Sequence, residues 1–298
     1  MLNSNTEMQK DMKQHPLFVN RVAVLATMHH KEKVIAPIIE QELGIKVIVP
    51  QDFDTDRFGT FTREVKRTGN QIEAARLKAE KALEATGKTL ALASEGTFGP
   101  HPISPFIPCN REVVLLLDKT NELEIVGQEL SIETNFSHRI VESLQEAQDF
   151  ADTVGFPEHA LVVMLSSSPK SQDEIIKGIK TTEELVEAVE FGLNSSQDGK
   201  VYIETDMRAL YNPTRMKNIA KATHDLVRKL NNACPNCSCP GFELVQRKKG
   251  LLCAYCNLPT ELTLTAIYKC QKCGFSEEVF FPDGLQNADP SQCMYCNP

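Results

Sequence analysis

Nine of the chain's ten cysteines lie between Cys234 and Cys296, and eight of them form four C-x-x-C turns. The turns are Cys234-Pro-Asn-Cys237, Cys253-Ala-Tyr-Cys256, Cys270-Gln-Lys-Cys273 and Cys293-Met-Tyr-Cys296. One such turn brings two thiolates to one ion, and two turns close a tetrahedron, so four turns predict two sites. A closed four-thiolate site with no open position is structural and suits zinc. The stretches between turns are 15, 13 and 19 residues long. Sequential pairing, first turn with second and third with fourth, is the simplest arrangement, and each pair then reads as a small zinc ribbon. Spacing alone leaves nested and crossed pairings open. Short strands are expected at Phe242–Val245 and Gly250–Leu252, around a Gln246-Arg-Lys-Lys turn, and again at Phe275–Phe281 before an Asp283-Gly284 turn. Cys239 is expected to be a spectator thiol and Cys109 a buried structural one, because neither has an assignable partner.

The 66 residues from Ala233 onward hold few aliphatic side chains, so this module should not fold without its metal. Seven of the chain's nineteen Phe and Tyr residues are here. They either pack over the metal-binding turns or offer stacking faces to bases. Five Lys/Arg against six Asp/Glu make the module a poor generic nucleic-acid binder, although Arg247-Lys248-Lys249 is one basic stretch that phosphate would suit. The module is therefore expected to brace the protein or an oligomer, or to dock a protein or nucleic acid.

A second set of reactive side chains lies earlier. Thr27-Met-His29-His30-Lys31-Glu-Lys33 joins a hydroxyl, imidazoles and lysines at a helix start, which is chemistry for an anion. Ser94-Glu95-Gly96-Thr97 puts a carboxylate between an apolar strand and what reads as a glycine-rich loop, where it needs a partner. Two further segments, Ser166 onward and Thr205-Asp206-Met-Arg208 running to Arg215, complete the set.

These segments follow strands of an alternating α/β pattern, and in such sheets ligands bind beyond the carboxyl ends of the strands. Arg21–Thr27, Lys46–Val49 and Thr89–Ala93 read as strands. Gln71–Thr86 reads as a helix with an apolar stripe, stopped by Gly87. A helix is expected at roughly Lys33–Leu43, ended by Gly44, with its start set by the need to keep Pro37 in the first turn. Glu112–Asp118 and Glu124–Ile132 form a hairpin. Helices at Ile140–Val154, from Thr182, and at Asn212–Leu230 alternate with strands at Ala160–Met164 and Val201–Glu204. The expected architecture is a polar extension (1–18), an α/β domain with a mixed sheet flanked by helices (19–232), and two small tandem zinc ribbons (233–298). The chain has 298 residues, 41% of them hydrophobic, with a net charge of −8. That composition excludes disorder and bulk phosphate-backbone binding. Without an 18-residue apolar run or a secretory leader, and with thiols kept for metal, a cytoplasmic protein with no membrane partner is expected.

Residues 21–99 resemble the front half of the inosine triphosphate pyrophosphatase family, and the inosine/xanthosine triphosphatases related to it. The resemblance rests on Leu25-Ala-Thr-Met-His-His-Lys-Glu-Lys33, Thr68-Gly69, Glu73-Ala-Ala-Arg-Leu-Lys78-Ala79, Ala85-Thr-Gly87 and Ala93-Ser-Glu95-Gly-Thr97. It implies a Mg²⁺-dependent hydrolase of nucleotide phosphoanhydrides. Glu73 and Glu95 would hold metal or activate water. Thr27, His29, Lys33 and Lys78 would contact phosphate, and Arg208 or Arg215 phosphate or base. Met28-His29 stands where the family has Gly-Asn, and Ser94 where it has the first aspartate of a pair. Those departures suit a nucleotide-sensing module without turnover. The whole chain also resembles a bacterial family catalogued as a domain of unknown function, through Ala93–Pro102, Thr205–Ala209 and the closing Cys-Asn-Pro.

Overall fold

The computed structural model describes residues 15–50, 70–166, 169, 171–196 and 198–297. The residues up to Gln14, Thr68-Gly69 and part of the segment after Ser166 lie outside these. The chain divides into two compact units, one reaching to Val227 and one from Arg228 to Pro298.

The first unit carries two sheets. The larger has the order β2-β1-β3-β4-β5, with β1 at Val22–Ala26, β2 at Lys46–Ile48, β3 at Leu90–Pro100, β4 at Pro108–Asp118 and β5 at Leu123–Ser131. β1 pairs in parallel with both β2 and β3, whereas β3, β4 and β5 form an antiparallel meander. The sheet is therefore mixed, as expected. β3 continues well past Ala93, so Ser94–Gly99 is strand and not a glycine-rich loop: its backbone groups pair with Cys109–Val114 along β4. Helix α1 (Glu32–Leu43) ends on left-handed Gly44 and contains Pro37 beyond its first turn, contrary to expectation. Pro37 is exposed and Ile35, Ile39 and Leu43 are buried, so the proline's missing N–H lies toward solvent, where it costs least.

Helix α2 (Gln71–Thr86) buries Ala75, Ala79, Ala82 and Leu83 against Ala91 and Ala93 of β3 and Val113, Leu115 and Leu117 of β4. Odd-numbered residues of β3 and β4 thus face α2, and even-numbered ones face the other side. There, helix α5 (Pro213–Leu230) approaches β5 so closely that a Cβ on Gly127 would overlap the backbone at Ala222 and Leu226. Asn212 caps α5, accepting from the Arg215 N–H at 2.9 Å, as the Asn-Pro signal predicts.

The second sheet has the order β6-β9-β7-β8, all antiparallel: β6 His138–Val141, β7 Leu161–Met164, β8 Ile175–Ile179 and β9 Val201–Thr205. Helices α3 (Leu144–Val154) and α4 (Thr182–Ser195) share its core with Phe150, Val163, Val189 and Ile203. The helix expected from Ile140 begins later, because Ser143 caps it and His138–Val141 is strand. α4 starts on the expected capping box of Thr181 and Glu184.

The second unit is a three-stranded antiparallel meander: β10 (Glu243–Lys249), β11 (Thr263–Lys269) and β12 (Ser276–Phe280). The expected Gln246–Lys249 turn is instead the body of β10, and β11 is a strand beyond those expected. No described helix is long and apolar enough to cross a membrane.

Candidate functional site

The meander decides how the cysteines pair. β10 follows the first turn and leads to the second; β11 returns to the third; β12 leads back toward the fourth. Antiparallel strands therefore gather the first and third turns at one end of the sheet and the second and fourth at the other. The two quartets are Cys234, Cys237, Cys270 and Cys273, and Cys253, Cys256, Cys293 and Cys296, each with all four sulfurs within 4.8 Å. The sequential pairing is corrected to this interleaved one. Sγ–Sγ separations of 3.7 and 3.6 Å in the first quartet and 3.9 and 3.6 Å in the second match the edge of about 3.8 Å of a tetrahedron with metal–sulfur bonds of about 2.3 Å. Backbone N–H groups of Cys273 and Tyr255 donate to Cys270 Sγ and Cys253 Sγ, both at 3.5 Å. Both quartets are thus compatible with structural metal ions. Cys239 belongs to neither; its carbonyl accepts from the Cys234 N–H. Cys109 is buried within β4.

The aromatics divide between the two sites. The Phe242 ring lies 5.9 Å from the rings of both Tyr268 and Phe275. Tyr255 and Tyr295, in the turns of the second, face solvent at 80% and 60% exposure. Arg247, Lys248 and Lys249 are ion-paired with Asp283, Glu278 and Glu261. The basic stretch is therefore already neutralised within the module.

The second site lies in the first unit, at the carboxyl end of β1, where β3 runs on past it. β1 stops at Ala26, opposite Ala93, so among the described residues β3 has no strand neighbour on that side beyond this point. Buried charge collects at this notch. On the α2 face, Glu95 and Lys78 form an ion pair, both nearly inaccessible. The Gln71 side chain, at the first turn of α2, donates to the carbonyls of Glu95 and Arg111 at 2.6 and 2.8 Å. On the opposite face, Arg215 Nε donates to Glu112 Oε1 at 2.8 Å, and both side chains are fully buried. Asn110 donates to the same Glu112 oxygen at 2.9 Å and accepts from Asn218 at 3.0 Å. Gly96 makes room for this pair, since a Cβ there would overlap Glu112 and Arg215.

Lys31 joins the two faces. Buried at the start of α1, it donates from Nζ to Ser94 O at 3.3 Å and Ser94 Oγ at 3.1 Å. Burial lowers its amine to about 7, with help from Arg215 and partial opposition from Glu95 and Glu112. Thr27 Oγ1, Glu112 Oε2 and Asn218 Oδ1 are buried without a hydrogen-bond partner.

The expected site residues sort clearly against this geometry. Glu95, Lys78, Arg215 and Thr27 are buried at or beside the notch. Glu73 is not with them: it is exposed and accepts from the Asn70 N–H at 2.8 Å as the reciprocal arm of a capping box. It lies five residues from Lys78, about 140° away around the helix. Glu73 thus points away from the buried side of α2 that carries Lys78, and the clusters of three or more metal-ligating groups among the described residues are the cysteine quartets. Lys33, expected to contact phosphate, is exposed, and the buried lysine of that turn is Lys31. His29 is half-buried. Arg208 is held bidentate by buried Asp206 and stacks on Tyr211. Glu112, Asn110 and Asn218 were missed. The signal for Glu112 was its parity: it shares a strand face with Val114, Leu116 and Asp118, all buried.

No curated protein and no solved structure matches this chain. Residues 78–298, which include β3, β4, α5 and all eight metal-site cysteines, match the family model described as Domain of unknown function (DUF6671), and the chain belongs to that family.

Proposed function

We propose that the first unit binds a phosphate-bearing, nucleotide-like small molecule at the notch beyond β1 and beside β3, and that the cysteine quartets hold two zinc ions that fold the second unit. The observation that carries the first part is the convergence of Lys31, Lys78 and Arg215, all buried, beside the carboxyl end of β1. Two buried cations against two carboxylates, with the Lys31 amine beside them able to take up a third positive charge, are a poor interior and a good anion site. Glu112 Oε2 and Asn218 Oδ1 are acceptors in want of donors, which the hydroxyls of a sugar phosphate would supply. The resemblance of residues 21–99 to inosine triphosphate pyrophosphatase points to the same ligand class. Zinc is the ion that a closed set of four thiolates suits best, and reduced thiols suit the cytoplasm.

Hydrolysis is the second reading, favoured by the position of Glu95. A ligand phosphate that drew Lys78 away would leave Glu95 to accept a proton from water as that water's oxygen bonds to phosphorus and the anhydride oxygen leaves. Among the described residues, the groups of three or more metal-ligating side chains are the cysteine quartets, which take no part in this step. The test is a panel of nucleoside di- and triphosphates, with and without Mg²⁺, followed by binding and by phosphate and pyrophosphate release. Binding abolished by Lys78→Met with no release establishes the binding module. Release abolished by Glu95→Gln establishes the hydrolase. Absence of both ends the proposal.

A further inference from the structure

We infer that the notch takes its anion together with a proton, which comes to rest on the Nζ of Lys31. This rests on the anion-binding reading above and adds a rule for how the site works. Four other charged groups face Lys31 from the elements around it: Glu95 on β3, Glu112 on β4, Lys78 on α2 and Arg215 on α5. Among these four, two cations match two carboxylates, so the resting cluster is balanced when Lys31 is a neutral amine. A neutral amine also fits its hydrogen bonds. Its two N–H groups are both used, on Ser94 O and Ser94 Oγ.

An entering anion upsets this balance by at least one negative charge in a buried setting, where an uncompensated charge is costly. The nearest remedy is a third N–H on Lys31. The side chain is already anchored at Ser94, so the new proton can point toward the ligand without a change of rotamer. The amine's depressed pKa means that at neutral pH the proton is only partly present beforehand, and the anion completes it. The step balances simply: one proton leaves solvent or buffer, an N–H bond forms on Lys31, and no other bond changes.

Titration calorimetry of the full chain tests this, with inorganic sulfate as the probe because it stays a dianion throughout. At about pH 8.5, heats measured in buffers of different ionisation enthalpy should report uptake of about one proton per sulfate, falling toward zero at about pH 5.5. Affinity should fall about tenfold per pH unit above about pH 7. Lys31→Met should bind more weakly, with no pH slope and no buffer-dependent heat. Sulfate binding with buffer-independent heats and a flat pH profile would overturn the proton coupling and leave the anion site standing. Absence of binding by sulfate and by every phosphate compound would overturn both. The wild-type buffer comparison decides the matter even if Lys31→Met does not fold.

Discussion

Arg215 and Glu112, 103 positions apart, meet in a fully buried ion pair that bolts α5 to strand β4. Such a pair is poor evidence for stability by itself, but breaking it strands a charge. Arg215→Met should therefore destabilise the first unit by about 3–5 kcal/mol. Adding Glu112→Leu should recover much of that loss. Urea midpoints of the single and double variants measure this; a double variant no better than the single would show that packing, and not stranded charge, is at fault.

Gly96→Ala should act through the same pair. The added methyl would displace Glu112 and Arg215 together, at a cost of about 1–3 kcal/mol. Anion affinity should drop with it, whereas Gly99→Ala, where nothing lies within 4 Å of a new Cβ, should leave affinity unchanged.

Glu73 distinguishes the capping role from the metal role that the family resemblance implies. Glu73→Ala removes one arm of a capping box and should cost about 1 kcal/mol of stability. Sulfate affinity should stay as in the wild type. A large loss of affinity at unchanged stability would place Glu73 at the ligand after all.

The interleaved quartets make a prediction about counting ions. Native mass spectrometry of Cys234→Ser should show one ion lost from two, and the double variant Cys234→Ser/Cys270→Ser should lose no more, because both residues serve the first quartet. Cys234→Ser/Cys253→Ser should lose both ions. Sequential pairing would give the reverse for the two doubles.

Lys31 sets a pH dependence of folding. Its folded amine titrates near 7 against 10.5 for an ordinary lysine, burial being the chief cause. Between those values the unfolded chain holds a proton that the folded chain lacks, so stability rises with pH across the window. Below about 7 both states are protonated and the penalty is constant. Lys31→Met should remove this slope and be the more stable protein at pH 7. Parallel pH profiles of wild type and variant would refute the assignment.

The residues themselves determine a good deal. Four C-x-x-C turns dictate two thiolate sites whatever the fold, because two sulfurs held that close serve one ion. The alternation of apolar runs and amphipathic stretches dictates an α/β unit, and capping signals such as Thr181 with Glu184, and Asn212 with Pro213, mark where helices start. Those are local properties, legible within a few residues. What the tertiary structure alone decided is which distant groups meet. The number of strands between turns, and their antiparallel return, paired Cys234 with Cys270 and not with Cys253. Strand parity sent Glu95 to α2 and Glu112 to Arg215, and helix rotation turned Glu73 to solvent while Lys78 went inward. Lys33 and Lys31 look alike in the chain, two positions apart. Only packing against Ser94 buried the second and left the first in water, because burial depends on what an element is set against and not on the residue alone.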